Sequence, residues 1–175
     1  MPTKTKHAVV AAFLSLIERE DFDKITVTDL VEICDISRQT FYYHFDDIDE
    51  MLQWAFDVET EKICTAHETE NWTDYSEDYI IFFTKYDTLM RKALNSNAFI
   101  LIYNLILKSF SDCLSSYFLT KKGEDFASSK SAEFLTEFLS GAFTSMIVKE
   151  FQKPTSNYRE VFSALSTALN GYALQ

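Results

Sequence analysis

A chain of 175 residues with 16 Lys and Arg against 27 Asp and Glu carries a formal net charge of −11, and its length allows one domain or a small module on a larger one. With 47% hydrophobic and 25% charged residues the composition is globular, and only 3 Gly and 2 Pro leave few places for tight turns, which points to mostly helix. The acidic balance argues against a polyanionic partner, because non-specific nucleic-acid binding draws on Lys and Arg to neutralise phosphates.

Val9, Phe13, Leu16 and Ile17 recur at helical spacing and predict a first helix from about Lys4 to Arg19. Its apolar stretch, Ala8 to Ile17, runs into charged residues without a cleavage signature, so no secretion signal is read. Phe22 and Ile25 close the connection, and Thr26 with Asp29 forms a capping box that opens a short helix from Val27 to Cys34. Asp35-Ile36-Ser37 interrupts it, Ser37 is a good N-cap, and Arg38 to Phe45 forms the next short helix. Asp46 and Asp49 repeat the pattern and open a longer helix through roughly His67, with Met51, Leu52, Ala55, Phe56 and Ile63 for its buried side.

Glu68 to Glu77 reads as a polar linker or helix boundary. Tyr79 to Leu94 and Ala98 to Leu119 follow as helices, the second apolar on most sides and so central in a bundle. The uncharged run Ala93 to Leu107 falls short of the ~20 apolar residues that a membrane span needs. Lys121 to Asp125 is a surface loop; Ser131 to Phe151 and a helix after Pro154 carry wide apolar faces. Cys34, Cys64 and Cys113 are far apart and form no Cys-x-x-Cys pair, which suits reduced thiols in a cytoplasmic protein.

Two short helices joined by a turn of three residues are a candidate helix-turn-helix, whose second helix enters the major groove. Its leading residues suit base edges: Arg38 as a fork to guanine, Gln39 as an amide to adenine, Thr40 as a hydroxyl or methyl. Tyr42, Tyr43 and His44 can reach phosphates, Ser37 can cap and also donate to a phosphate, and Phe41 and Phe45 share the face that anchors the helix. The competing reading makes this aromatic-rich helix simply core.

The string from Ile25 to Phe45, ITVTDLVEICDISRQTFYYHF, resembles the DNA-binding motif of TetR-type transcriptional regulators over about Lys4 to Phe56. Its Phe-Tyr-Tyr-His-Phe-x-Asp-Ile segment is most similar to the branch that regulates dihydroxyacetone kinase operons. The resemblance implies an all-α homodimer in which an N-terminal three-helix domain, residues 1–46, is joined by a long helix to a C-terminal bundle, residues 47–175. It implies a double-stranded DNA operator contacted by Thr26, Ser37, Arg38, Gln39, Thr40, Tyr42, Tyr43 and His44, and control by a small-molecule effector or a kinase-like protein partner. It also implies a four-helix interface from the last two helices, for which Leu139, Phe143, Ile147, Val161, Leu165 and Leu169 are the candidates. The alternative is a helical protein-interaction adaptor with weak intrinsic DNA binding.

The chain departs from the family in two places. Asp35 stands where many members have Gly, and tolerates the left-handed conformation. Asp46, Asp47 and Asp49 stand at a helix start where many place Lys, so either the helix-end amides make the phosphate contact there, or binding is weak, or a partner is needed. Phe82, Phe83, Tyr86, Tyr103 and Phe110, with Tyr117, would line an apolar effector cavity or else pack as core. Cys64 and His67 lie three apart, but two ligands make no closed metal site. No phosphate loop or nucleophile motif is present, so neither an enzyme nor a cofactor is expected. Splitting the charge at Phe56 gives −6 before and −5 after, so the DNA-binding part is not basic. Its local cations are Lys4, Lys6, Lys24 and Arg38, which implies few phosphate neutralisations and a shallow salt dependence.

Overall fold

Among the described residues, 2–65 and 71–169 of the computed structural model, regular structure consists of helix alone. The order is α1 (Pro2–Ile17), a 3-10 turn (Phe22–Lys24), α2 (Val27–Cys34), α3 (Arg38–His44), α4 (Ile48–Thr65), α5 (Trp72–Lys85), α6 (Asp87–Leu94), α7 (Phe99–Lys122), α8 (Glu124–Ala127), α9 (Lys130–Gln152) and α10 (Tyr158–Ala168). α1 packs on α2, α4 and α6, while α7 runs through the centre of the larger bundle against α4, α6 and α9. One continuous core joins the two parts. No helix among the described residues is long and apolar enough to cross a membrane.

Boundaries shift where side chains redirect the chain. The expected single helix from Tyr79 to Leu94 is two: α5 begins at Trp72 and ends at Lys85, with Tyr86 (φ −106°, ψ 18°) breaking the run. Trp72, Tyr75 and Tyr79 form a buried stripe at helical spacing, so most of the polar stretch expected as a linker is helix, capped by Asn71 accepting the Thr73 amide at 3.1 Å. α4 is capped one residue later than expected, because the Asp47 carboxylate, not Asp46, accepts from the Glu50 amide (2.8 Å), and the Glu50 carboxylate reaches back to the Asp46 amide. The Lys121 to Asp125 loop narrows to Gly123, whose φ of +82° ends α7, and a single helical turn follows.

Aromatic rings fill the centre of the bundle. Tyr79, Phe83, Phe110 and Phe162 are 1% exposed, and each has ring neighbours within 6.1 Å. Around them, Arg91 on α6 donates to the carbonyls of Phe151 (2.6 Å) and Lys153 while pairing with Asp87 (2.6 Å), which closes the C-terminal end of α9. The neighbouring Lys92 faces the other way. Its ammonium donates to the carbonyls of Ile17 (2.6 Å) and Glu20 (3.0 Å), supplying the orphan acceptors at the end of α1. α6 therefore grips the last helices with Arg91 and the N-terminal unit with Lys92.

The six residues expected at a dimer interface lie inside the protomer. Leu139, Phe143, Ile147, Val161, Leu165 and Leu169 are at most 6% exposed, packed in the chain's own core. The apolar periodicity is real, but it marks the inward face: α9 is amphipathic against α7, and the aromatic residues left outside are Phe134 and Phe138, 63% and 61% exposed with rings stacked 6.0 Å apart. The half-buried Gly141 and the exposed Ser145 continue that stripe along the same helix, and Ala164 and Thr167 are outward on α10.

Candidate nucleic-acid interface

Local hydrogen bonds build the reading head. Thr26 and Asp29 complete the capping box: the Asp29 carboxylate accepts the Thr26 amide (2.8 Å) and hydroxyl (2.6 Å), and these bonds hold its carboxyl below the usual range. Asp35 takes the left-handed conformation (φ +50°) that ends α2, as its short polar side chain allows. Ser37 then caps α3, accepting the Thr40 amide at 3.0 Å, with the Ser37 and Thr40 hydroxyls 2.9 Å apart. Phe41 and Phe45 are fully buried and fix the roll of α3 about its axis.

That roll decides what points outward. Ser37, Arg38, Gln39, Tyr42 and Tyr43 are exposed, Thr40 and His44 are half-buried, and Thr26 is exposed at the start of α2. Tyr43 is 79% exposed and meets the His44 ring edge-on at 5.0 Å. Arg38 donates to Thr28 Oγ1 at 2.6 Å, which orients the guanidinium toward the α2 side. Thr28 is not among the residues that spacing points to; no local pattern signals a contact ten residues away.

The surrounding charge is less available than the sequence suggests. Lys24 pairs with Asp21 at 2.7 Å, and Lys6 sits over the rings of Phe45 (4.7 Å) and Trp54 (5.1 Å) in a cation–π contact. At the start of α4 the Asp46 and Glu50 amides are already taken by Glu50 and Asp47, which leaves less of that helix end open to a phosphate. Burial, and then the neighbouring Asp47, push the Asp49 carboxyl up.

The aromatic cavity candidates separate. A cavity of about 210 Å³ opens between α1, α4, α5, α6 and α7, and Phe82 and Tyr86 line it together with Leu14, Trp54, Glu59 and Met90. Phe83, Phe110 and Tyr117 are packed in the core, and Tyr103 stacks on Phe99, none of them on the cavity wall. Glu59 gives this wall its charge. Burial opposes its ionisation, but bonds from Lys62 (2.6 Å), Tyr86 (2.9 Å) and Lys85 (3.2 Å) prevail and lower its carboxyl to about 2. No group of three metal-ligating side chains occurs among the described residues; His67 lies outside them.

Residues 9–54 match the family described as "Bacterial regulatory proteins, tetR family". A protein of Lactococcus lactis subsp. lactis (strain IL1403), the HTH-type dhaKLM operon transcriptional activator DhaS, is 34% identical over 53 residues. That match covers 30% of this chain and 28% of the relative. A solved structure, the dihydroxyacetone kinase operon activator DhaS, superposes with a TM-score of 0.74 at 18% identity over 95% of this chain and 94% of that one, a likeness of fold.

Proposed function

We propose that this chain, which carries a TetR-type DNA-binding domain over residues 9–54, works in the cytoplasm as a homodimeric, sequence-specific regulator of transcription. The observation that carries this reading is the capped α3, anchored by Phe41 and Phe45 and presenting Arg38, Gln39, Tyr42 and Tyr43 to solvent. Arg38 and Gln39 read base edges, while Tyr42, Tyr43 and the hydroxyls of Ser37 and Thr26 position the helix on the backbone. A dimer has to place two such helices one turn of duplex apart, about 34 to 36 Å, or a multiple of that. The outer stripe of Phe134, Phe138, Gly141 and Ser145 on α9, with Ala164 and Thr167 on α10, supplies the face for pairing.

Control runs through α6 in this reading. Lys92 holds the end of α1 and Arg91 holds the end of α9, so a change in the tilt of α6 moves the reading head relative to the dimer face. The cavity beside α6 is where a small apolar effector acts, by binding one spacing of the two heads more tightly than the other. The carboxylates at the start of α4 support a second reading, a regulator whose intrinsic DNA binding is weak until a protein partner joins it.

The test is a gel shift on DNA upstream of the protein's own gene, with wild type and with Arg38→Ala and Tyr43→Ala. Wild-type binding that Arg38→Ala reduces, with helical content unchanged, supports the first reading. Binding that appears only with an added cellular partner supports the second, and no binding in either condition refutes both.

A further inference from the structure

Outside the reading head, one cluster of reactive groups is unused by the proposed regulation. Near the end of α4, the Cys64 thiol approaches the Ser109 carbonyl of α7 at 4.0 Å. Cys113 stands one helical turn beyond Ser109 on α7, so its backbone amide faces the same carbonyl that the Cys64 thiol approaches. Tyr79 of α5 closes the group from a third side, donating to the Ser109 carbonyl at 3.0 Å with the Ser109 hydroxyl 2.6 Å away. All three cysteines are free thiols.

We infer that Cys64 and Cys113 form an oxidisable dithiol, in which Cys64 reacts with a hydroperoxide and Cys113 resolves the product to an internal disulfide between α4 and α7. The two members are unequal in the way such a pair requires. Cys64 is half-buried, and the neighbouring Cys113, with help from Tyr79, lowers its thiol pKa against the opposing effect of burial. Cys113 is fully buried and its thiol is pushed up, first by burial and then by Cys64, so it is inert until a sulfur electrophile forms beside it. Cys34 is also half-buried, but burial alone acts on it and raises its thiol, so it serves as an internal control.

The chemistry balances with hydrogen peroxide as the oxidant. The Cys64 thiolate attacks one peroxide oxygen, the O–O bond breaks, and the departing hydroxide takes up a proton to leave as water, giving a sulfenic acid. Cys113 then gives up its proton as its sulfur attacks that of Cys64. The S–O bond breaks, a second water leaves, and two thiols and one peroxide have become one disulfide and two waters. The bond ties the far end of α4, the helix that leaves the DNA-binding unit, to the central helix of the bundle.

The test uses the intact, reduced protein treated with hydrogen peroxide, blocked with N-ethylmaleimide and digested with trypsin. The expected product is a dithiothreitol-sensitive peptide pair joining residues 63–85 to residues 109–121, while Cys34 remains alkylatable. In Cys113→Ala, dimedone should label Cys64; in Cys64→Ser, loss of the free Cys113 thiol should slow by about tenfold or more. Failure to cross-link at peroxide concentrations that already oxidise Cys34 overturns the inference, as does Cys113 reacting equally fast without Cys64.

Discussion

The N-terminal unit and the bundle behind it are held together by hydrogen bonds of different reach. Around α2, α3 and the start of α4, the caps close within three or four residues: Thr26 with Asp29, Ser37 with Thr40, Asp47 with Glu50. In the bundle the polar ties join distant segments: Tyr79 to Ser109, Arg91 to Phe151, Tyr158 to Asp87, and Arg159 to Glu77 at 2.9 Å. Local bonds define the shape of a small reading head almost independently of the rest. Long-range bonds tie the bundle together, and α6 carries bonds toward both ends of it. Lys92, joining Ile17 to α6 at 2.6 Å, is where the two regimes meet.

Exchanging the bundle's inner and outer faces should do the most damage. Leu165→Asp puts a charge at a 1% exposed position and should abolish the cooperative fold, at a cost of about 3 to 5 kcal/mol. Phe138→Asp, on the outer face, should leave helicity and melting intact but convert a dimer to monomers in sizing chromatography. A folded monomer from Leu165→Asp would reverse this assignment of faces.

Next comes the joint between the regions. Lys92→Met keeps the apolar stem but leaves the carbonyls of Ile17 and Glu20 without their donor, and should cost about 1 to 2 kcal/mol in urea unfolding. It should also weaken DNA binding more than its effect on stability explains. Within the reading head, Ser37→Ala removes the α3 cap and should cost about 1 kcal/mol, recovered in part by Ser37→Asn. An effect of Ser37→Ala confined to the bundle, with α2 and α3 amides unchanged in hydrogen exchange, would rule out local control of that unit.

A weaker consequence concerns pH. Glu59 ionises at about 2 in the fold against an ordinary 4.5, so its ionised form stabilises the protein above about pH 4.5 and that contribution is lost as pH falls toward 2. Glu59→Gln should therefore flatten the acid limb of stability between pH 4.5 and 2 compared with wild type. An unchanged acid limb would mean that the bonds from Lys62, Lys85 and Tyr86 do not govern this carboxylate.

The same contrast explains what could be read from the residues alone. The capping box, the Ser37 cap, the left-handed Asp35 and the Phe41–Phe45 anchor are consequences of spacing within one helical turn, and the structure has each of them. The apolar periodicity of α9 and α10 also announces itself, but periodicity identifies a buried face without naming what buries it. Leu139 and Leu165 meet their own chain, and Phe134 and Phe138, outside the main stripe, remain exposed. Thr28 holding Arg38, Lys92 closing α1 and the division of Phe82 from Phe83 all depend on how separate helices dock, and no spacing encodes that.

The proposed function rests on an acidic protein reading DNA through a few base contacts from α3, with little help from general charge. Operator affinity measured by fluorescence anisotropy across a salt series puts this to the proof. With Lys24 paired to Asp21, Lys6 held over aromatic rings and the Asp46 and Glu50 amides already occupied, the log–log slope should be shallow, about −2 to −4 per dimer. Arg38→Ala and Gln39→Ala should each narrow the preference for operator over scrambled DNA. A slope of about −8 or steeper, with no change in that preference in either variant, would refute it.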